Sequence, residues 1–481
     1  MDAKDKISQF VEESGPVVSE VADRVWDLAE VRFKTDKSAD EYEKVLRDNG
    51  FTVRRGAAGM DNVLIASYGE GKPVIGILAE YDALPNMNQT ADLARQQQDK
   101  PGAAGHACGH NILGAGALAG VLAVKKLMEE ESIKGTIRFY GCPAEESGYG
   151  KAFMTRAGLF DDCGAILAWH PSDAAGVASR ASIGVAQMYF KFTGIPAHAA
   201  GAPELGRSAL DAAELMNVGV NFLREHMIRE ARIHYAFIDA GGTAANVVQP
   251  TACLYYFVRA PYNDQILDLC NRVVKCAKGA AMMTETSVDV QWDSAICCYV
   301  PNQTLNQVIY KNLQKFADLH LTDAERLYEQ KYYDTISAQA KASLLTRTQK
   351  SFPDKREEEQ ERIAAEPILE ELMPMEPATM DMGEGGTSTD VGDPSWKVPT
   401  AKFTIGCEPQ GTAVHSWQWC ANGKSSVAHK AALAAGKVFA ATAYDLFMDP
   451  DLIRKADADR LRMLNGKTYH SLIPDDVKPG Q

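Results

Sequence analysis

Pro73-Val74-Ile75-Gly76-Ile77-Leu78-Ala79 contains no polar side chain and stops abruptly at Glu80-Tyr81-Asp82. A continuous apolar run of this length reads as a strand buried on both faces, the situation of a strand inside a parallel sheet. Similar runs recur at residues 62–67, 136–140, 165–171 and 401–405. Between them, apolar residues return at helical spacing over residues 6–31, 39–48 and 112–130. Strands alternating with helices predict an α/β catalytic domain with a mainly parallel sheet.

The pattern changes near Ser182. Strands at 188–192, 233–238, 252–258 and 287–292, with helices at 208–226 and 263–281, give the order β-α-β-β-α-β of a ferredoxin-like domain. At 481 residues more than one domain is expected. The expected division is a catalytic domain at 1–182 and 298–481, interrupted by a lid or dimerisation domain at 183–297. Residues 322–372, centred on Lys355-Arg356-Glu357-Glu358-Glu359, read as a charged helical insertion with a solvated surface or, alternatively, a partner-binding arm.

A net charge of −14 argues against nucleic acid or an anionic membrane as partner. No apolar run reaches the roughly 18 residues of a membrane span, and the N-terminus has no apolar signal core, so a cytoplasmic location is expected. Ten cysteines in so long a chain are no dense disulfide framework. Cys142, Cys253, Cys270 and Cys276 sit in apolar patterns that suit reduced, buried thiols.

The chemistry begins at Gly105-His106-Ala107-Cys108-Gly109-His110-Asn111. Residues i and i+2 of an extended or tightly turned segment point the same way, so Cys108 and His110 can converge. A thiolate and an imidazole together suit Zn, Co, Ni or Mn. Other residues of ligand type stand where strands end: Glu145-Glu146 after the strand at 136–140, His170 at the end of the next, and His415 beyond the strand at 401–405. Gly385-Gly386-Thr387-Ser388-Thr389-Asp390 is a further polar glycine turn. In open α/β sheets ligands bind beyond the C-terminal strand ends. Five ligands and a spare carboxylate suit a pair of metal ions, with Cys108 as an unusual bridge. Of the two glutamates, one can bind metal while the other handles protons. A metal lowers the pKa of bound water from 15.7 to about 7, and a nearby carboxylate accepts its proton as hydroxide attacks.

These segments resemble the co-catalytic metallopeptidase family of aminoacylases and carboxypeptidases, in its amidohydrolase branch. The likeness covers nearly the whole chain. It includes residues 105–111, 139–146 and 150–154, Leu159-Phe160-Asp161-Asp162, Trp169-His170-Pro171, Asn246-Val247-Val248-Gln249, Arg259-Ala260-Pro261, residues 388–393 and His415-Ser416-Trp417. The resemblance implies that Cys108, His110, Glu146, His170 and His415 hold two divalent ions, Zn or Mn before Co or Ni. It makes Glu145 the general acid/base, and His198, in Gly194-Ile195-Pro196-Ala197-His198, the donor to the oxyanion, reaching across a dimer formed by the lid domains. Asn246 and Arg259 would hold the substrate, Arg259 through a carboxylate, while Asp82 would orient a ligand. Two features depart from the family: Asn111 replaces an aspartate, and the insertion at 322–372 is long.

The function this implies is metal-dependent hydrolysis of an amide between an aryl or acyl group and an amino acid, as in an aminobenzoyl-glutamate-like substrate. The implied partners are a second copy of the chain and a different, second subunit. A rival reading is hydrolytic displacement of an amine from an activated aromatic ring by the same metal centre. A third, a non-catalytic scaffold, is at odds with a full set of ligands and a base.

Overall fold

A computed structural model describes residues 2–383 and 387–480, so Gly385 and Gly386 of the glycine turn lie outside the described residues. The chain forms two compact units. One comprises the chain up to Ala181 with Val300–Asp381 and Pro394–Thr468. The other comprises Ser182–Tyr299, the described residues of Met382–Asp393, and the chain from Tyr469 onward.

The first unit is built on a seven-stranded sheet. Its strands run in the order Thr52–Ala57, Met60–Glu70, Gly135–Cys142, Val74–Glu80, Ala165–Ser172, Thr400–Gly406 and Gly176–Val177. The four strands from Gly135–Cys142 to Thr400–Gly406 are mutually parallel, and antiparallel pairing is confined to the flanks. Val74–Glu80 is buried at every position, in keeping with its unbroken apolar run. Thr52–Ala57 leaves no sequence signal because it is a polar edge strand with no fully buried residue.

Parallel register brings the strand exits into line. Glu80 pairs with Cys142, and His170 with Thr404. Over the sheet lie helices Ala3–Leu28, His110–Glu131 and Ser426–Met448, whose apolar side chains belong to one continuous core. The last two are long and apolar enough to cross a membrane, which corrects the expectation that no segment is; both are largely buried, so their apolar surface is spent on the core.

Helices Asp323–Tyr333, Ala338–Ser351 and Glu357–Ala365 make up the charged insertion. Their outer faces carry ion pairs such as Arg326–Glu370 and Arg362–Glu371. Their inner faces dock onto the segment that leads to His415. Leu344 packs at Gly411, Arg347 pairs with Asp173 at 2.5 Å, and Gln410 Nε2 donates to the Ile363 carbonyl at 2.7 Å.

In the second unit a four-stranded antiparallel sheet has the order Ser287–Ile296, Gly184–Thr193, Thr251–Ala260, Arg232–Asp239. With helices Ala209–Leu223 and Asn263–Met283 this is the βαββαβ arrangement. Along Thr251–Ala260 burial alternates, placing Ala252, Leu254, Tyr256 and Val258 in the unit's core.

Candidate metal centre

The sheet places the ligand-type residues of the first unit at or beyond the C-terminal ends of its parallel strands. Glu80 closes Val74–Glu80, and Asp82 follows it. Glu145 and Glu146 follow Gly135–Cys142, and His170 lies within Ala165–Ser172. His415 sits in the turn between Thr400–Gly406 and Trp417–Asn422, in the left-handed region at φ +61°. Cys108 stands in the turn that enters helix His110–Glu131. That turn needs Gly109: its φ is +75°, and a Cβ there would lie 2.8 Å from Pro171 Cγ.

Hydrogen bonds fix how the imidazoles face. His110 Nδ1 lies 3.0 Å from the carbonyl oxygen of Asp82 and 3.2 Å from its Oδ1. A carbonyl only accepts, so Nδ1 carries a proton and Nε2 is turned into the cluster. His170 Nδ1 donates in the same way to the Pro171 carbonyl at 2.7 Å, which leaves Nε2 3.4 Å from Cys108 Sγ. His415 Nε2 is 3.3 Å from Glu146 Oε2, while Glu145 Oε2 and Glu146 Oε1 each lie 3.9 Å from His110 Nε2.

The ligand atoms of Cys108, His110 and His170 lie within 4.8 Å of one another, as do those of Cys108, Glu146 and His415. Cys108 belongs to both sets. Among the described residues His110 Nε2 and Glu146 Oε1 are buried without a hydrogen-bond partner, a costly condition that a shared cation would relieve. Burial would lower the pKa of His110, but Cys108, Asp82 and Glu80 outweigh it and raise it well above the ordinary value. Burial pushes the Cys108 thiol up and holds His170 down at about 4. A neutral imidazole is the ligating form, whereas Cys108 has to give up its proton to bind. Sulfur, nitrogen and carboxylate donors together fit a divalent transition metal.

Lys151 carries no signal in the sequence. It is wholly buried in helix Gly150–Arg156, with Nζ 2.6 Å from Glu80 Oε1. Asn111 proves to have a structural task. Its Nδ2 donates to the carbonyls of Gly423 at 2.8 Å and Ala22 at 3.4 Å, which an aspartate could not do.

The other three expected site residues lie in the second unit. His198 and Asn246 are neighbours there: His198 pairs with Val247 in an antiparallel bridge, and the Ala199 amide donates to the Asn246 carbonyl at 2.9 Å. His198 Nδ1 accepts from the amides of Gly201 at 2.9 Å and Ala200 at 3.2 Å, so in the neutral ring the proton is on Nε2. Arg259, near the end of strand Thr251–Ala260, donates to Ser388 Oγ at 2.6 Å.

The family described as Peptidase family M20/M25/M40 matches residues 76–418. The chain belongs to this family. It is thereby a hydrolase of C–N amide bonds. The chain is 40% identical to one subunit of the p-aminobenzoyl-glutamate hydrolase of Escherichia coli K12 over 473 residues, 98% of each chain. It is 27% identical to the other named subunit of that enzyme over 255 residues, 50% of this chain and 57% of that one. Among solved structures, the aminobenzoyl-glutamate utilization protein from Klebsiella pneumoniae shares the fold, with a TM-score of 0.58 at 16% identity, covering 90% of this chain and 97% of the other.

Proposed function

We propose that the chain hydrolyses the amide between an aryl or acyl group and an amino acid, in the manner of p-aminobenzoyl-glutamate, at a centre of two divalent ions. The observation that carries this reading is the sharing of Cys108 between two sets of ligand atoms, one with His110 and His170 and one with Glu146 and His415, with Glu145 beside them. The thiolate and imidazoles favour Zn, while the carboxylate admits Mn as the second choice. The ions, when bound, supply Lewis acidity and bring the pKa of water toward neutrality.

The remaining work falls to the chain. Glu145 takes the proton of the attacking water and returns it to the leaving amine nitrogen, so that glutamate or a similar amino acid departs neutral at nitrogen. His198 is assigned the oxyanion: with Nδ1 occupied by backbone amides, its Nε2–H is free to donate as the carbonyl oxygen gains charge. Arg259 suits the substrate's carboxylate and Asn246 a polar group.

His198 is assigned to act across a homodimer made by the lid. Leu215, Val218 and Phe222 form an exposed stripe along helix Ala209–Leu223, and the edge strand Arg232–Asp239 exposes Tyr235, Phe237 and Ile238. An apolar stripe beside an unpaired strand edge suits a second copy of the same surface. A different, second subunit is part of the reading too, since the Escherichia coli relative is named as one of a pair.

The test is product analysis by mass spectrometry after incubating Mn- or Zn-loaded protein with p-aminobenzoyl-glutamate. Chelator-sensitive release of p-aminobenzoate and glutamate is expected. Release of ammonia with the amide intact would replace this reading with aromatic deamination.

A further inference from the structure

Glu80 stands outside both sets of ligand atoms that share Cys108, yet it faces the same imidazole. Its Oε2 lies 3.2 Å from His110 Nε2, and both atoms are buried. That separation is within hydrogen-bond range, but among the described residues neither atom has a hydrogen-bond partner. With the ring proton on Nδ1, Nε2 presents a lone pair, and a carboxylate oxygen has no proton to give it, so two acceptor atoms face each other.

Two donors to one ion, each about 2.1 Å from it and about 90–110° apart, lie roughly 3.0–3.4 Å from each other. The Glu80–His110 spacing has that value, and so does the 3.3 Å between His415 Nε2 and Glu146 Oε2. The other carboxylate oxygen is already committed. Lys151, wholly buried, holds Oε1 at 2.6 Å, which fixes the rotation of the carboxylate and leaves Oε2 directed at the cluster. The ligand atoms of Glu80, His110 and Glu145 also lie within 4.8 Å of one another.

We propose that Glu80 is a sixth protein donor to the metal centre, binding through Oε2 the ion held by His110, with Lys151 as the positioning residue that presents it. The proposal rests on the reading of the cluster as a metal centre. A carboxylate on the His110 side adds a negative charge to that ion's donors, and the Lys151 ammonium balances it within the protein.

The test is titration of metal-free protein with Co(II), read by visible absorption and by competition with a chelator. Wild type is expected to bind two ions. Glu80→Leu combined with Lys151→Met removes the donor and its buried counter-charge together, and should weaken one of the two ions at least tenfold and change the Co(II) spectrum. Glu80→Gln, which retains the side chain's shape, should shift both readouts in the same direction by less, and it serves if the double variant does not fold. Unchanged affinity and spectrum in these variants overturn the assignment. Cys108→Ala separates the two levels: if it loses metal while the Glu80 variants do not, Glu80 is no donor, and if it too binds Co(II) like wild type, the metal centre itself is misplaced.

Discussion

Asp82 meets His110 Nδ1 with both its backbone carbonyl, at 3.0 Å, and its carboxylate Oδ1, at 3.2 Å, while its Oδ2 accepts from the amide of Glu146 at 3.0 Å. One buried side chain thus sets the tautomer of one proposed ligand and the backbone position of another. Removing such a partner typically costs 10–100-fold in metal affinity. Asp82→Ala should weaken metal binding by about that factor without changing the number of ions bound at saturation. A titration curve superimposable on wild type would show that Asp82 orients nothing.

Glu145 and Glu146 are neighbours in sequence but are assigned different tasks. Glu145→Gln keeps the side chain's size and should leave bound metal unchanged, while kcat falls by roughly 10²–10⁴-fold. Metal content by mass spectrometry and turnover on the same sample decide it. Substantial residual turnover would remove Glu145 as the base.

Glu329, in the helical insertion, is buried and accepts from Asn422 Nδ2 at 3.2 and 3.3 Å. Burial pushes its pKa up to about 8, with Glu325 adding to the rise. An unfolded Glu titrates near 4.3, so between these values the folded chain holds a proton that the unfolded chain has released. Stability then falls as pH rises through that window, by on the order of a few kcal/mol in total. Melting temperature should decline from pH 5 to pH 8 in wild type and decline less in Glu329→Gln. Equal slopes would show that Glu329 is ionised throughout.

Phe222 is the most exposed member of the apolar stripe on helix Ala209–Leu223. Phe222→Asp should convert a dimer to monomers in sedimentation velocity, and turnover should fall with it because His198 is assigned to the neighbouring copy. Monomers of undiminished activity would place His198 in the site of its own chain.

Much of this was legible in the residues. The apolar runs ending in acids locate the parallel strands, because a strand covered on both faces leaves an unbroken signature, and the ligand-type residues follow from their positions at strand exits. Other features leave no such trace. Thr52–Ala57 is a polar edge strand, and Lys151 looks like any lysine at the start of a helix until Glu80 is found beside it. The insertion at 322–372 reads as solvated because its outer face is charged. Its inner face does recur at helical spacing, at Glu325, Glu329 and Tyr332 and at Leu344 and Thr348, but most of these side chains are polar and leave no apolar stripe to read. Asn111 shows the converse case, a departure from the family pattern explained by two backbone carbonyls that accept from its amide.

Everything proposed for the site turns on Cys108 bridging two ions. Crystals of protein loaded with Zn or Mn, measured at the absorption edge of that metal, test it directly. Two anomalous peaks a few ångströms apart are expected, one beside His110 and His170, one beside Glu146 and His415, with Cys108 Sγ between them. A single peak, or peaks away from Cys108, would contradict it.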